Sequence, residues 1–466
     1  MKLNHFRLIF FLSTIILLSS CLGTTTVTTP STDATFVSLT FAANDSVPKL
    51  STAVFTLVDT TIINVDSLPY KTRVDSVYPT FTFTSSSVAM LYFSSTHKFK
   101  KNSSVILGAG KDTIDFRQPI RVVNYAADGK TTKGYKVVVN VHQVDPEAYI
   151  WNKVSDNLNS VNATSQKTVI LNDVMYYYST DGTSAYLYTS TDGTNWNQST
   201  ALSGLPVSAS ASLKDMMQFN GKLYLTQNSS SIYSTSDGLN WGSKLPITLT
   251  NFTFKSLLYV FNDQLWAVVL SNDGSYHFAT SGDGDVWNVL GEIPANFPVS
   301  DFASASYFSP TGKSKVLVLG GYSSVDNINP LKNRWSSEDG LYWVDFSTEN
   351  RSLDTLAVGA SVIPYDGKLL LFGSRSDNGK NHYRISQDEG LSWQVPDALR
   401  NFFPKNYPAR TNLSAVVFKP RTYNKSDSPN QIVESNRIFI IGGNSESTIY
   451  SDVWTGKLNR KNFLLQ

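Results

Sequence analysis

The sequence predicts an all-β protein, an N-terminal β-sandwich followed by a six-bladed β-propeller, on three observations. A short phrase of Ser or Thr, an acid, glycine, two variable residues and tryptophan recurs from residue 190 onward. It reads Ser-Thr-Asp-Gly-Thr-Asn-Trp at 190–196, and returns with small variations at 234–241, 281–287, 337–343 and 386–393. A period of ~40–50 residues is the mark of a propeller or an array of like units. Each phrase follows two apolar, strand-like segments, and the region before the repeats alternates apolar and polar residues in short runs. Composition agrees: charged residues are 16% and aromatics 12%, a β-rich profile rather than a helical or disordered one.

From the N-terminus, Lys2, His5 and Arg7 precede an apolar run over 8–18, then small residues and Cys21. That layout is a secretory signal peptide, its apolar run too short to span a bilayer. The tetrapeptide Leu18-Ser19-Ser20-Cys21 resembles a bacterial lipobox. The resemblance implies that the leader (1–20) is removed and that Cys21 receives a diacylglycerol and an acylated amino group. The partner would then be a lipid bilayer, since several acyl chains at ~0.8 kcal/mol per methylene anchor a protein stably. Leu22, where an aspartate would signal retention, implies the outer membrane; the acidic cluster of surface-exported relatives is missing, and the side it faces stays open. Cys21 is the single cysteine, so the folded part has neither a disulfide nor a cysteine metal site. Residues 21–34, rich in threonine, read as a tether.

Residues 35–145 carry short alternating runs, at 53–57, 78–84, 89–93, 104–107, 119–124 and 134–141, with a turn at Asp128-Gly129. Such spacing predicts a sandwich of immunoglobulin type. The stretch also holds five of six Asp-Ser or Asp-Thr motifs that match the O-glycan acceptor of Bacteroides-type exported proteins: Ser46, Thr60, Ser67, Ser76 and Thr113, with Thr355 outside it.

Residues 146–466 hold six units. First strands are expected at 167–171, 216–219, 257–260, 305–308, 360–363 and 415–418, second strands at 174–177, 222–225, 264–267, 315–319, 368–372 and 437–441. Trp151 precedes unit one at the same spacing: the intervals from it along the next three phrase tryptophans are 45, 45 and 46 residues. Residues 148–154 would therefore supply the outer strand of blade six and lock the ring, leaving only short protected edges.

Within each phrase Asp-Gly signals a tight turn, in which glycine takes positive φ and the carboxylate accepts backbone N–H bonds. The tryptophan packs beneath, burying ~150–250 Å². These phrases resemble the Asp-box of sialidases, some glycoside hydrolases and sortilin-type propellers. The resemblance implies that Asp192, Asp237, Asp283, Asp339 and Asp388, with Trp196, Trp241, Trp287, Trp343 and Trp393, are structural and face away from any active site. Box five has Glu389 inserted before Gly390, which predicts a turn one residue longer. Gly320-Gly321, Gly442-Gly443 and Ser451-Asp-Val-Trp454 are similar to kelch repeats. Lipobox, tether, a sandwich ending in a tyrosine–valine hairpin and an Asp-box propeller together resemble Bacteroides-type lipoproteins of unknown function.

Chemistry is scarcer. Removing Lys2 and Arg7 from 39 basic residues leaves 37 against 37 acidic ones, a balance that argues against nucleic acid as a partner. The five histidines are scattered without metal-ligand spacing, no cofactor motif is present, and no nucleophile elbow appears. Sialidases bind a carboxylate through three arginines. Here Phe116-Arg117-Gln118-Pro119 matches their first-arginine motif only in part, and lies in the sandwich. No arginine occurs between 145 and 333. A glycosidase carboxylate pair stays open. No catalytic residue is singled out.

The expectation is an envelope lipoprotein that binds or scaffolds a glycan or protein; the alternative is an exo-acting glycoside hydrolase of sialidase type. The long loop 396–412 and its neighbour 374–380 supply the ligand-binding candidates Arg375, Arg400, Phe402, Phe403, Tyr407 and Arg410, because long loops in compact domains are often functional. The competing reading has the aromatics cover a neighbouring blade.

Overall fold

The structure, a computed structural model, describes residues 29–43, 47–94, 104–107, 113–159, 162–208, 212–246, 249–323, 329–348, 355–376, 381–397, 400–401, 403–420 and 436–459. The chain divides into two units, 1–145 and 146–466.

In the first unit two sheets share one apolar core. The larger has six strands in the order Phe55–Val58, Thr61–Asn64, Thr132–Val138, Ile120–Tyr125, Val88–Tyr92 and Ser104–Ile106; the smaller pairs Phe36–Phe41 with Pro79–Phe83. Alternation sends Ile120, Val122 and Val137 inward to meet Phe36, Leu39 and Phe41 of the facing sheet. Polar inward positions are hydrogen-bonded: the Asn124 amide, fully buried, donates to the carbonyls of Ala34 (3.3 Å) and Ser85 (2.8 Å), and that of Asn64 to the Asn140 carbonyl (3.0 Å), as a buried amide requires. Six strands against two depart from the four-plus-three division that an immunoglobulin-type sandwich implies. Asp59 takes a left-handed φ of 54°, a conformation aspartate tolerates better than most residues. The chain thereby turns back at once, and Thr61–Asn64 joins the large sheet, parallel to Thr132–Val138.

The second unit is a ring of six blades. Blade one is Ser165–Leu171, Val174–Thr180, Ala185–Ser190 and Asn197–Ser199; blade two is Met217–Phe219, Lys222–Thr226, Ile232–Thr235 and Gly242–Lys244. Blade three runs Phe252–Phe261, Gln264–Ser271, Tyr276–Ser281 and Asn288–Glu292, and blade four Ser300–Phe308, Ser314–Tyr322, Arg334–Ser337 and Val344–Asp345. Blade five has Ser361–Tyr365, Lys368–Ser376 and Asn381–Ser386, with Thr355–Leu356 extending the pairing of its second strand. Its fourth strand shrinks to one bridge, Ile385 with Gln394; Pro396, two residues on, has no N–H to continue a ladder. Blade six is Ser414–Phe418, Arg437–Asn444 and Ile449–Leu458, completed by Tyr149–Ser155 from the start of the unit.

First strands line the centre and touch their neighbours around the whole ring. Side chains stitch the seams. Ser165 Oγ accepts the Leu213 N–H (2.9 Å), and Ser304 and Ser306 donate to the carbonyls of Leu258 and Val260 (2.6 Å each). Ser361 Oγ accepts the Ala415 N–H (3.1 Å), and Ser414 Oγ accepts the Thr168 N–H (2.9 Å). Small hydroxyl residues on inner strands thus satisfy backbone groups that no ladder reaches. Between these strands lie apolar clusters built from adjacent blades, such as Phe219, Tyr224, Phe254 and Trp287.

Because consecutive strands alternate in direction, first-to-second and third-to-fourth turns share one face of the ring. Second-to-third loops and blade-to-blade connections share the other.

Candidate functional site

The recurring phrases occupy the third-to-fourth turns. In box three Asp283 Oδ1 accepts the N–H groups of Asp285 (2.8 Å) and Val286 (2.9 Å). Ser281 Oγ accepts the Gly284 N–H (2.8 Å), and Trp287 Nε1 donates to the Gly284 carbonyl (3.2 Å). Asp192, Asp237 and Asp339 accept the equivalent pairs of N–H groups, and Trp196 and Trp343 bond the glycine carbonyl alike. Trp241 instead sets its ring edge-on to Tyr178, 5.7 Å between centroids. Box five absorbs its extra residue by placing Glu389 at φ 62°, and the Gly390 N–H still reaches Ser386 Oγ (2.8 Å). Asp388 accepts from Ser392, and Trp393 donates to the Gly390 carbonyl. The backbone N–H donors of Val286 and Asp285 hold Asp283 below the usual carboxylate range. These carboxylates are occupied within their own turns.

The aromatic–arginine loop is not laid open to a ligand. Arg410 is 1% exposed. Its guanidinium pairs with Asp452 (Nη2 to Oδ2 3.0 Å), donates to the Gly442 carbonyl (2.9 Å), and lies over the rings of Tyr407 and Tyr450. Phe403 meets Trp151 edge-on at 5.1 Å and Tyr407 at 4.8 Å, within the cluster joining blades five and six. Arg400 is exposed, but its carbonyl accepts the Tyr149 N–H (2.7 Å), tying the loop to the closing strand. The expectation of a binding loop is therefore corrected for Phe403, Tyr407 and Arg410, which seal a seam. Phe402 and the side chain of Arg375 lie outside the described residues, as do Cys21, Ser46 and the side chain of Thr355. Thr60 and Ser76 are exposed on the sandwich, and Ser67 and Thr113 half-buried.

The chemistry gathers elsewhere. On the face opposite the Asp-Gly turns, a groove of about 400 Å³ opens over blades two to four. Its lining includes Ser212, Lys214, Asp215, Gln227, Lys255 and Asp301, and Val299 is its one apolar member. Beneath it a chamber of about 110 Å³ reaches Lys167 and the inner-strand serines. The connection from blade one to two delivers Lys214 and Asp215, and the second-to-third loop of blade two delivers Gln227 and Asn228. The start of the blade-three inner strand adds Lys255, and the entry to blade four adds Asp301. Asn228 and Asp301 both hold positive φ, 52° and 53°.

Lys214 donates to Asp301 in an ion pair. The Asp215 carboxylate accepts from the Thr226 hydroxyl and from the Leu257 N–H (3.1 Å), which also stitches blade two to three. Burial pushes Asp215 up to about 6, against those hydrogen bonds and the charge of Lys167. Burial likewise pushes Lys167 down, with Asp215 opposing. Sequence reading missed all five charged residues, because they share no motif. Only the period, placing each just before or early in an inner strand, could have grouped them. No arginine lines the groove or the chamber among the described residues. Arg334 and Arg384 are buried within blades four and five, and Arg334 donates to the carbonyls of Leu391 and Phe346. Nor does any cluster of three His, Cys, Asp or Glu among the described residues suit a metal.

A larger cavity, about 480 Å³, opens on the Asp-Gly face between blades three and five, beside Phe308, Pro310, Pro364 and Tyr365. Its lining is far richer in apolar side chains, among them Val260, Phe261 and Leu369, and of its charged members Glu389 pairs with Lys315 (2.6 Å) and Lys368 with Glu147 (3.9 Å). The polar groove is accordingly the better candidate.

No curated protein sequence matches the chain. Among solved structures it is similar to that of YjhT, at 13% identity and a TM-score of 0.40, covering 64% of this chain and 95% of that one. It is also similar to the sialidase of Trypanosoma rangeli, at 13% identity and a TM-score of 0.38, covering 68% of this chain and 59% of that one. The BP39L lectin from Burkholderia pseudomallei is similar at 14% identity and a TM-score of 0.37, covering 66% and 82%. Residues 145–466 match the DUF6242 beta propeller domain and residues 23–139 the N-terminal domain of the same family, and the chain belongs to that family of unknown function.

Proposed function

We propose that this protein is a lipoprotein of a bacterial outer membrane, anchored through acylated Cys21, that binds a glycan through the polar groove of its propeller. The observation that carries the reading is the groove's lining. Hydroxyls, side-chain amides, ammonium groups and carboxylates converge there, with one valine, in a volume within the ~300–1,000 Å³ usual for small-molecule sites. Such a surface offers donors and acceptors to the hydroxyls of a sugar ring. A glycan array probed with the full chain tests it. Ser212 is exposed at the rim, so Ser212→Trp should fill the groove and abolish capture. Unchanged capture by that variant, or binding only to envelope proteins, would overturn the reading.

The anchor has its own test. Cys21→Ala should end metabolic labelling with palmitate analogues; persistent labelling would refute it. The sandwich motifs support a glycosylated spacer, with Thr60 and Ser76 the accessible acceptors. An intact mass equal to the bare acylated chain would remove that part.

One observation favours a second reading, an exo-acting glycoside hydrolase. Asp215, raised to about 6, shares the groove with the carboxylate of Asp301, and an acid poised near neutrality suits general acid catalysis. Turnover of a fluorogenic glycoside that Asp215→Asn abolishes would establish it.

A further inference from the structure

The charges of the groove do not cancel. Lys214 is neutralised by Asp301, and Lys167 stands in the field of Asp215 while its Nζ donates to the Lys214 carbonyl (2.7 Å). Lys255 is the surplus. Its Nζ donates to Asn228 Oδ1 (2.6 Å), and no carboxylate among the described residues pairs with it. Burial alone pushes this ammonium down, with no neighbouring acid to hold it up. A half-buried cation whose one protein partner is a neutral amide is electrostatically incomplete, and retains N–H donors for an oxygen anion. Its partner belongs to the same lining: Asn228, near the start of the second-to-third loop of blade two, takes φ 52° and forms part of the groove wall.

We propose that Lys255, set by Asn228, forms an anion-binding subsite of the groove, and that the ligand is an acidic saccharide whose carboxylate or sulfate meets Lys255 while its hydroxyls meet the amide and hydroxyl lining. This rests on the reading of the groove as a glycan site. The anion supplies the missing charge. The amide of Asn228 can turn an N–H toward the same anion, and the Ser256 hydroxyl next along the inner strand lines the same space. A neutral glycan would leave the ammonium without a counter-charge in a partly desolvated position, which costs affinity.

The test uses the full chain in detergent micelles and isothermal titration with four probes: trigalacturonate, its methyl ester, a sulfated trisaccharide and neutral maltotriose. The acid or the sulfate should bind at least tenfold more tightly than the ester and maltotriose, and which of the two wins identifies the anion. Lys255→Gln should remove that preference, and Lys255→Arg should keep most of it. Raising salt from 50 to 500 mM should weaken the acidic probe and spare the neutral ones. If acid, sulfate and ester bind alike and Lys255→Gln is silent while Ser212→Trp abolishes binding, the anion subsite is wrong and the groove stands. If Ser212→Trp leaves binding intact, or no probe binds at millimolar concentration, both readings fall.

Discussion

Substituting Gly284 by alanine isolates what the Asp-Gly turn contributes to the ring beyond its own hairpin. Gly284 holds φ at 82°, and a methyl placed on it would overlap the Tyr224 ring of the preceding blade. That ring is 1% exposed, and its hydroxyl donates to the Asp283 carbonyl (2.9 Å). Left-handed backbone costs an alanine about 1–2 kcal/mol, offset by about 0.4–1 kcal/mol of lost freedom in the unfolded chain. Displacing a packed ring adds about 1–3 kcal/mol, and losing its hydrogen bond about 0.5–1.5 kcal/mol. Gly284→Ala should therefore destabilise the propeller by roughly 1.5–6 kcal/mol, the sum of those contributions. Gly221 is the control: its φ is 72°, and nothing stands within 4 Å of the added methyl. Gly221→Ala should cost only about 1 kcal/mol, the backbone part alone. Urea midpoints at constant slope measure both, and by calorimetry the gap should be about 1–2 °C per kcal/mol for a unit of this size. In a Tyr224→Ala background the excess cost of Gly284→Ala should vanish. Equal destabilisation by the two glycine variants would refute the claim that box glycines are seam contacts as well as turn residues.

Arg410→Met leaves Asp452 buried without its bidentate partner and should cost about 3–5 kcal/mol by urea unfolding; an Arg410→Met, Asp452→Leu double variant should recover much of that. Trp151→Ala removes the ring that packs on Phe372, Tyr383 and Phe403, and should cost about 3–5 kcal/mol and sensitise the 146–155 segment to protease. Asp215 is raised in the fold, so its neutral form is favoured there. Its contribution is fully present below pH ~4 and is lost as pH rises through about 6. The stability of the wild type relative to Asp215→Asn should accordingly fall across that window by at most about 3 kcal/mol, and a difference independent of pH between 4 and 7 would contradict the buried placement.

What the sequence determined by itself was local and periodic. Asp-Gly followed by tryptophan dictates a hairpin whatever surrounds it, because φ preference and carboxylate-to-N–H bonding act within a few residues. Even the inserted Glu389 shows its consequence, a turn lengthened by one. The spacing from Trp151 revealed that the strand completing blade six comes from the opposite end of the unit, since a ring with one strand missing can be closed only there. The division of the sandwich into six strands and two was not legible, because it rests on the parallel pairing of Thr61–Asn64 with Thr132–Val138, partners distant in the chain. The site was decided by tertiary structure alone. Loop 396–412 has a binding surface's composition, yet Arg410 meets Asp452 from the third strand of blade six and Phe403 meets Trp151 from the closing strand, so burial and pairing consume both. Lys167, Lys214, Asp215, Lys255 and Asp301 are unremarkable along the chain. Four consecutive blades bring them to one mouth, where the pairing of neighbours in space, invisible in sequence order, leaves Lys255 as the cation without an acid.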